Sequence, residues 1–420
     1  MILLVAIVLL FVVGAMAVLA IDLVTIYTAR SEAQLAADGA ALAGARVMAN
    51  SGATSADPTN LALETSAQNL ATAMAKQVAV RNRVGGRLLN PAEVDVTFPP
   101  SIGDVLNPRV TVRVSRTDLP TFFARIWGQT QTTVAASATA EAYNPSGINA
   151  IVAGTGPPIA PACVKPWLLP NLDPLNPGNP IFDVAFGTIQ DRALLGSPLA
   201  SFQFACSTDD CSSLSTSTPT EWKFYPAAQA SLPAPTQSLP ACGALYNAYQ
   251  LSIAGCVQTP IACGGVTVVP SSMVAIDQAP YTPNGTNRMA DTVTAINCLA
   301  HSTTGNGDRV DPAASPLFQF VAGADNPVAG AVGSDVMVTD SLVTVPVFDS
   351  SLPWPPTSTP PTVQVIGFVQ LFLNPDGTAP PAGGPISTTV INIAGCGNTA
   401  TGQPVLGNGA STIPVRLIAQ

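Results

Sequence analysis

The chain of 420 residues is poor in charge, with only 10% Asp, Glu, Lys and Arg together, and it contains one histidine, His301. So little charge on a chain that is 47% hydrophobic excludes a disordered polymer, which needs low hydrophobicity and high net charge. Sixteen basic against 25 acidic residues, a net charge of −9, leave no clustered cations for phosphate, so nucleic acid is excluded as a partner. One histidine supplies almost nothing for a His-rich metal site or a Ser-His-Asp relay, and no cofactor is expected. No C-x2-C pair is present either, which removes a zinc site. What remains suits a structural or interaction protein and not an enzyme.

The composition is uneven along the chain. Residues 1–150 carry 10 basic and 10 acidic side chains, 7 Pro and no Cys; residues 151–420 carry 6 basic and 15 acidic side chains, 33 Pro and all 8 Cys. Length alone predicts about two or three folded units. The compositional shift places a boundary near residues 143–154, where AYNPSG, with Pro145 and Gly147, has the turn chemistry of a linker.

Residues 2–21 hold no charge, and at about 1.5 Å per residue they give roughly 30 Å, the thickness of a bilayer's hydrocarbon core. A retained membrane helix is expected. The competing reading is a cleaved signal peptide, whose apolar core is usually shorter, about 7–15 residues. The first cation, Arg30, follows the span, and a start further upstream would account for the missing basic flank. Positive-inside reasoning would then place the following region in the cytoplasm, but the cysteines argue for export and outweigh one arginine balanced by Asp22 and Glu32.

Between Asp22 and Ala49 the sequence contains no proline and predicts the same helix continuing to about Ala49. Alanine occupies positions 29, 33, 37, 41, 45 and 49, flanked by Ala36, Ala40 and Gly44. Residues four apart form a packing ridge, so Ala29, Ala33, Ala37, Ala41 and Ala45 let another backbone approach closely; alanine's helix propensity explains the same residues without packing. Asp22 reads either as an interfacial residue in water or as an intramembrane carboxylate paired within an assembly, and Tyr27 suits the headgroup belt.

The stretch GAMAVLAIDLVTIYTARSEAQLAADGAALAGA resembles the N-terminal segment of the TadE/TadG-like family of tight-adherence (Flp) pilus assembly proteins. The features that match in order are Ala20-Ile21-Asp22, Tyr27, Arg30, Gln34, Ala36-Ala37-Asp38 and Ala40-Ala41-Leu42-Ala43. The resemblance covers roughly 35 residues well and is only suggestive to about residue 145. The chain lacks the Asp-x-Ser-x-Ser metal motif of longer relatives, so metal-dependent adhesion is not implied. What is implied is a membrane-anchored subunit whose partners are membrane lipid and other pilus or envelope-apparatus subunits. It would sit in a bacterial inner membrane with the C-terminal region periplasmic or extracellular. The alternative is a surface-anchored or secreted binding module unrelated to pili.

After the capping residues of DPTN at 57–60, the sequence predicts a second helix over roughly 59–83. Its apolar face would carry Leu63, Leu70, Met74 and Val78, and its basic exit Arg81, Arg83 and Arg87. Period-two alternation predicts strands at 94–98, 110–114 and 132–142, and residues 119–127 read as a short amphipathic turn whose Phe122, Phe123, Ile126 and Trp127 plug the core. The order of elements is that of a small pilin-like α+β domain, as in the family it resembles.

Short β-rich runs at 266–269, 336–338, 342–347, 363–373 and 386–393 predict a sheet or sandwich, with VRLIA near the end as an edge. The proline-rich segment 352–361 reads as an exposed connection. The fold class expected is therefore α+β: a long N-terminal membrane helix over 1–50, a pilin-like domain over 51–145, and a disulfide-stabilised, mainly-β exported region over 146–420. Cys163, Cys206, Cys211, Cys242, Cys256, Cys263, Cys298 and Cys396 permit four disulfides in any of 105 pairings, of which Cys206–Cys211 and Cys256–Cys263 close the shortest loops. His301, Ser302, Asp308 and Asp311 lie in HSTTGNGDRVDP, which reads as a polar solvent loop without a catalytic frame. Asn306, Asp308 and Asp311 do not have the spacing of an EF-hand.

Overall fold

A computed structural model describes residues 2–100, 107–146, 159–176, 178–204, 223–226, 248–261, 273–275, 288–313, 315–327, 334–335, 339–353, 357, 362–378, 386–396, 405–406 and 411–419. Helix α1, Ile2–Asn50, is continuous for 49 residues, as the absence of proline predicts. Its first 20 residues are apolar and stand free of the rest of the chain, and they are long and apolar enough to cross a membrane. From Asp22 onward one face of the same helix is buried.

Helix α2, Leu61–Ala79, starts at Asn60, whose side chain accepts the Leu63 N–H at 3.2 Å. It returns antiparallel along α1, so that Gly39 faces Val78 and Gly44 faces Ala71 and Ala75. The buried face of α2 is Leu63, Ala67, Ala71, Ala75 and Ala79, whereas Leu70, Met74 and Val78 are only half-buried. The larger apolar residues expected to form the contact therefore flank it, and the contact itself is a second row of alanines at every fourth position.

Strands β1 (Val94–Thr97), β2 (Arg109–Pro120) and β3 (Gln131–Ala142) form an antiparallel sheet against α1. Val110, Val112 and Val114 on β2 alternate inward, and β2 pairs with β3 in the register Val112↔Ala138 and Arg116↔Val134. Ala29, Ala33, Ala37, Ala41 and Ala45 are all fully buried, so the backbones that approach the α1 ridge belong to this same chain. A contact between alanines gains only about 0.8 kcal/mol per buried methyl. Its effect is close approach: a Cβ added at Gly44 would lie 2.9 Å from Val110 Cγ1 and 3.5 Å from Ala75 Cβ.

The remainder is mainly β. Strands β4 (Trp167–Pro170), β5 (Pro198–Phe204), β6 (Lys223–Pro226), β7 (Met273–Ala275), β8 (Leu342–Phe348), β9 (Thr362–Leu373) and β10 (Ile386–Gly395) lie in the order β7-β9-β8-β4-β6-β5-β10. Because β10 also pairs with β9, the six strands from β9 round to β10 close into a ring. Helices α3 (Ala248–Ala254) and α4 (Arg288–Leu299), which strand patterning does not predict, add Tyr249, Ile253 and Ile296 to its core. The final strand β11, Val415–Ala419, returns to the N-terminal sheet and pairs antiparallel with β3, an edge as the sequence predicts. The expected runs at 266–269 and 336–338 and most of the 352–361 segment lie outside the described residues.

Residues 143–146, expected to begin a linker, are buried. Asn144 Nδ2 donates to the Ile393 carbonyl at 3.1 Å, and Ser146 Oγ accepts the Gly395 N–H at 3.0 Å. The end of α1 is held at the same place: Asn392 donates to the Ala49 carbonyl, and Ser55 Oγ donates to the Ile393 carbonyl at 2.7 Å. Local composition predicts a turn here, but the buried carbonyls of β10 require donors, and Asn144 supplies one.

Tight packing of the alanine rows makes a stability prediction. Ala37→Leu or Ala41→Leu should lower the stability of the detergent-solubilised protein by about 1–3 kcal/mol through overpacking, seen as a lower thermal midpoint by circular dichroism. Leu35→Ala, on the open face of α1, should leave the midpoint unchanged. An unchanged midpoint in both alanine variants would show that the rows are loosely packed.

Candidate functional site

The residues that carry the family resemblance are strung along α1 from Ala20 to Ala43, and the first charged one, Asp22, stands where the apolar part of α1 meets the folded body. Asp22 directly follows the apolar run and is only 6% exposed. Its carboxylate accepts three consecutive backbone N–H groups, from Phe122 at 2.9 Å, Phe123 at 3.0 Å and Ala124 at 2.8 Å. These amides open a short 3-10 turn, Ala124–Trp127, in the connection between β2 and β3. The first amides of such a turn have no partner within it, and an anion is their natural acceptor. Asp22 is thus neither a water-facing residue nor one awaiting another subunit; its partner is a loop 100 residues further along the chain.

Length accounts for the meeting. Residues 22 to 50 of α1 measure about 42 Å at 1.5 Å per residue, and the 12 residues of β2 measure about 40 Å at about 3.3 Å each. Since β2 runs antiparallel to α1, with Val110 beside Gly44, its far end arrives at Asp22.

Further contacts hold the same stretch of α1. Glu32 accepts the Gly85 N–H at 2.6 Å, and Gln34 Nε2 donates to Asp38 Oδ1 at 2.8 Å and to the Ser137 carbonyl of β3 at 3.2 Å. Beside Gly85, buried Arg116 donates to the Val84 carbonyl and, at 2.9 Å, to Asp118. Arg87 bridges Glu93 at 2.5 Å and Asp118 at 2.6 Å. Hydrogen bonds from Arg87 and Arg116 hold the Asp118 carboxyl down at about 2. Arg87, expected at a solvated basic exit, is therefore committed to a local ion cluster, while Arg81 and Arg83 are exposed.

Tyr27 and Arg30 lie on the open face of α1, Tyr27 at 67% exposure. Phe122, expected as a core plug, is 62% exposed near the start of the β2–β3 connection, and Phe123 is half-buried. The amphipathic pattern identifies these as neighbours on a turn, but neither joins the buried core; the side chains of Ile126 and Trp127 lie outside the described residues.

Cys163 pairs with Cys256 across 93 residues, so the short loop Cys256–Cys263 is not formed. The backbone brings them together: Cys163 N–H donates to the Val257 carbonyl at 2.9 Å. Buried Lys165 braces the same corner, donating to the carbonyls of Ile253 at 2.5 Å and Gly255 at 2.9 Å at the end of α3, and burial pushes its ammonium down to about 8. Cys298 and Cys396 are also disulfide-bonded. Cys206, Cys211, Cys242 and Cys263 lie outside the described residues.

Residues 303–306 of the His301 segment are exposed, as a solvent loop requires, but His301, Ser302, Gly307 and Asp308 are buried. His301 is buried in the left-handed conformation, at φ 52°, with Nδ1 3.1 Å from Asp308 Oδ2. Asp308 is wholly buried and accepts from Gly323 N–H at 2.6 Å, Asn326 Nδ2 at 2.9 Å, Ser341 Oγ at 3.1 Å and the Thr339 hydroxyl. In a nucleophilic relay the other ring nitrogen would meet a hydroxyl. Here Nε2 faces the Asp340 carboxylate at 3.7 Å, and Ser302 turns to Asn297 at 3.1 Å. Asp311 stands apart, capping the Ala313 N–H at 3.0 Å. The cluster ties three chain segments around one carboxylate. No group of three or more potential metal-ligating residues occurs among the described residues.

One long apolar helix fixed along its second half to a mainly-β body defines a helix-anchored protein. Residues 1–47 match the family model described as "Putative Flp pilus-assembly TadE/G-like". The matched residues include Asp22, Tyr27, Arg30, Gln34 and Asp38, and the match together with the apolar helix supports a role in pilus assembly and anchoring in a membrane. No curated protein and no solved structure matches the chain.

Two predictions follow the geometry. Asp22→Ala should sharply raise hydrogen exchange at the amides of residues 122–124 while leaving the β2–β3 ladder protected; unchanged exchange would mean that the carboxylate does not hold the loop. For His301, burial opposes the charged ring, but hydrogen bonding to Asp308 and the charges of Asp308, Asp340 and Asp325 outweigh it and raise the pKa above 6.5. The stability that charged His301 contributes is then fully present below pH 6.5 and is lost as pH rises through the raised value. The gap in thermal midpoint between the wild type and His301→Gln should narrow as pH rises from about 5.5 to about 9; a constant gap would assign the contribution to the ring's shape instead of its charge.

Proposed function

We propose that the chain is a non-catalytic, membrane-anchored subunit or assembly component of a bacterial tight-adherence pilus, with an exported body that serves as an adhesive or interaction surface. The observation that carries this reading is the match of residues 1–47 to the pilus-assembly family, on the helix that combines an apolar span with a rigidly docked extension. The division of labour follows the chain: residues 1–50 anchor, residues 51–145 form a pilin-like layer on the anchor, and residues 146–420 form the exported region. The partners are membrane lipid around the span and other subunits of the apparatus along the open face of α1. The Cys163–Cys256 disulfide supports a periplasmic or extracellular body, since such bonds persist in oxidising compartments.

Deleting the coding sequence should abolish surface pili, and restoring the wild type should recover them. Normal piliation in the deletion strain would overturn the reading in favour of a surface binding module. Mapping of the native protein without reductant should recover a Cys163–Cys256 linked peptide; free thiols at both positions would count against export.

A further inference from the structure

We propose that the loop between β2 and β3 is a second membrane contact, seating the Phe122 ring in the lipid interface beside the α1 span. This rests on the reading of α1 as a membrane anchor and adds a contact that the helix alone does not require. The loop's height is fixed by Asp22: the Phe122 N–H is 2.9 Å from a carboxylate one residue beyond the apolar run, so the loop lies at the end of the span. Its position is not adjustable, because three amides share that carboxylate and the loop is closed on itself. The Gln129 N–H donates to the Ala124 carbonyl at 3.1 Å, and the Gly128 N–H to the Arg125 carbonyl at 3.0 Å.

At that height the protein offers lipid an aromatic ring and no core. Phe122 is 62% exposed, although its neighbours Thr121 and Leu119 are buried. Leu23 and Val24, the first apolar residues of α1 beyond Asp22, are also more than half exposed, so the apolar surface of the span continues onto the foot of the folded body. Arg125 on the same loop and Arg30, eight residues beyond Asp22 on α1, are exposed, within reach of phospholipid headgroups in this reading. An aromatic side chain at the hydrocarbon boundary with cations on the headgroup side is the arrangement favoured at a bilayer interface. The occupant is therefore lipid, continuous with that around residues 2–21.

The test is photo-crosslinking of the full-length protein in vesicles of mixed phosphatidylethanolamine and phosphatidylglycerol. A benzophenone side chain would replace Phe122, Leu9 in the span, or Leu352 in the exported body, where Leu352 is an exposed apolar control. The lipid adduct at 122 should approach that at 9 and exceed that at 352 by about tenfold or more, as for an interfacial ring. An adduct at 122 no greater than at 352, with strong labelling at 9, would overturn the lipid contact and leave the anchor intact. Absence of lipid adducts at 9 would overturn the anchor and this proposal together. A Phe122→Ser variant that keeps the wild-type thermal midpoint in detergent, yet loses midpoint in vesicles, would support it independently.

Discussion

A helix that passes without a break from an apolar span into a protein core must satisfy two surroundings with one backbone. In α1 the backbone hydrogen bonds are internal except at its two ends, so the constraint falls on the side chains. Among the described side chains, large aliphatic residues are exposed up to residue 21, and the inward face from Ala29 to Ala45 is alanine. The change of residue size, more than the change of polarity, lets α2 and the sheet close on the second half. With bulky residues there, the backbones could not approach closely enough for Val110 and Ala75 to meet across Gly44.

That close approach determines much of what lies beyond it. Antiparallel α2 brings Gly85 to Glu32, and β2 reaches Asp22 because it matches the helix in length. At the opposite end Asn392 and Ser55 join the last turn of α1 to β10. The helix is therefore held at both ends of its buried half, by a carboxylate near the span and by amides and hydroxyls at the body. The return of β11 to β3 places the C-terminal end of the described chain in the sheet that packs on α1. A movement of the body relative to the span would have to break several of these contacts at once.

The N-terminal elements were legible because periodicity reports which face of an element is small, apolar or alternating. The continuous helix, the alanine ridge and strands β1 to β3 all carry such a signal. Periodicity is silent about what lies opposite. It therefore favours Leu70, Met74 and Val78 for the centre of the α2 contact, which Ala67, Ala71, Ala75 and Ala79 occupy while the larger residues pack beside them. It grouped Phe122 with core residues, since a turn's apolar face looks the same whether a core or open space adjoins it. The pairing Cys163–Cys256 is out of reach for a different reason: loop length ranks ease of closure, while backbone contacts between residues 93 apart determine which cysteines meet. Likewise, nothing local in HSTTGNGDRVDP reveals that Thr339 and Ser341 arrive from elsewhere to hold Asp308.

The choice of a carboxylate and three backbone amides at the foot of the molecule has its own logic. An arginine–carboxylate pair would require both charges to be desolvated near the membrane boundary, with its energy dependent on two flexible side chains. The amides at 122–124 are fixed by the turn that follows them and need an acceptor regardless, because a 3-10 turn cannot satisfy its own first donors. Asp22 supplies that acceptor from a rigid helix, so each side resolves the other's unpaired group without a second mobile charge. The bond is directional as well. Two oxygens shared among three successive N–H groups set the orientation of the loop as well as its distance, and with it the direction in which Phe122 faces away from the body.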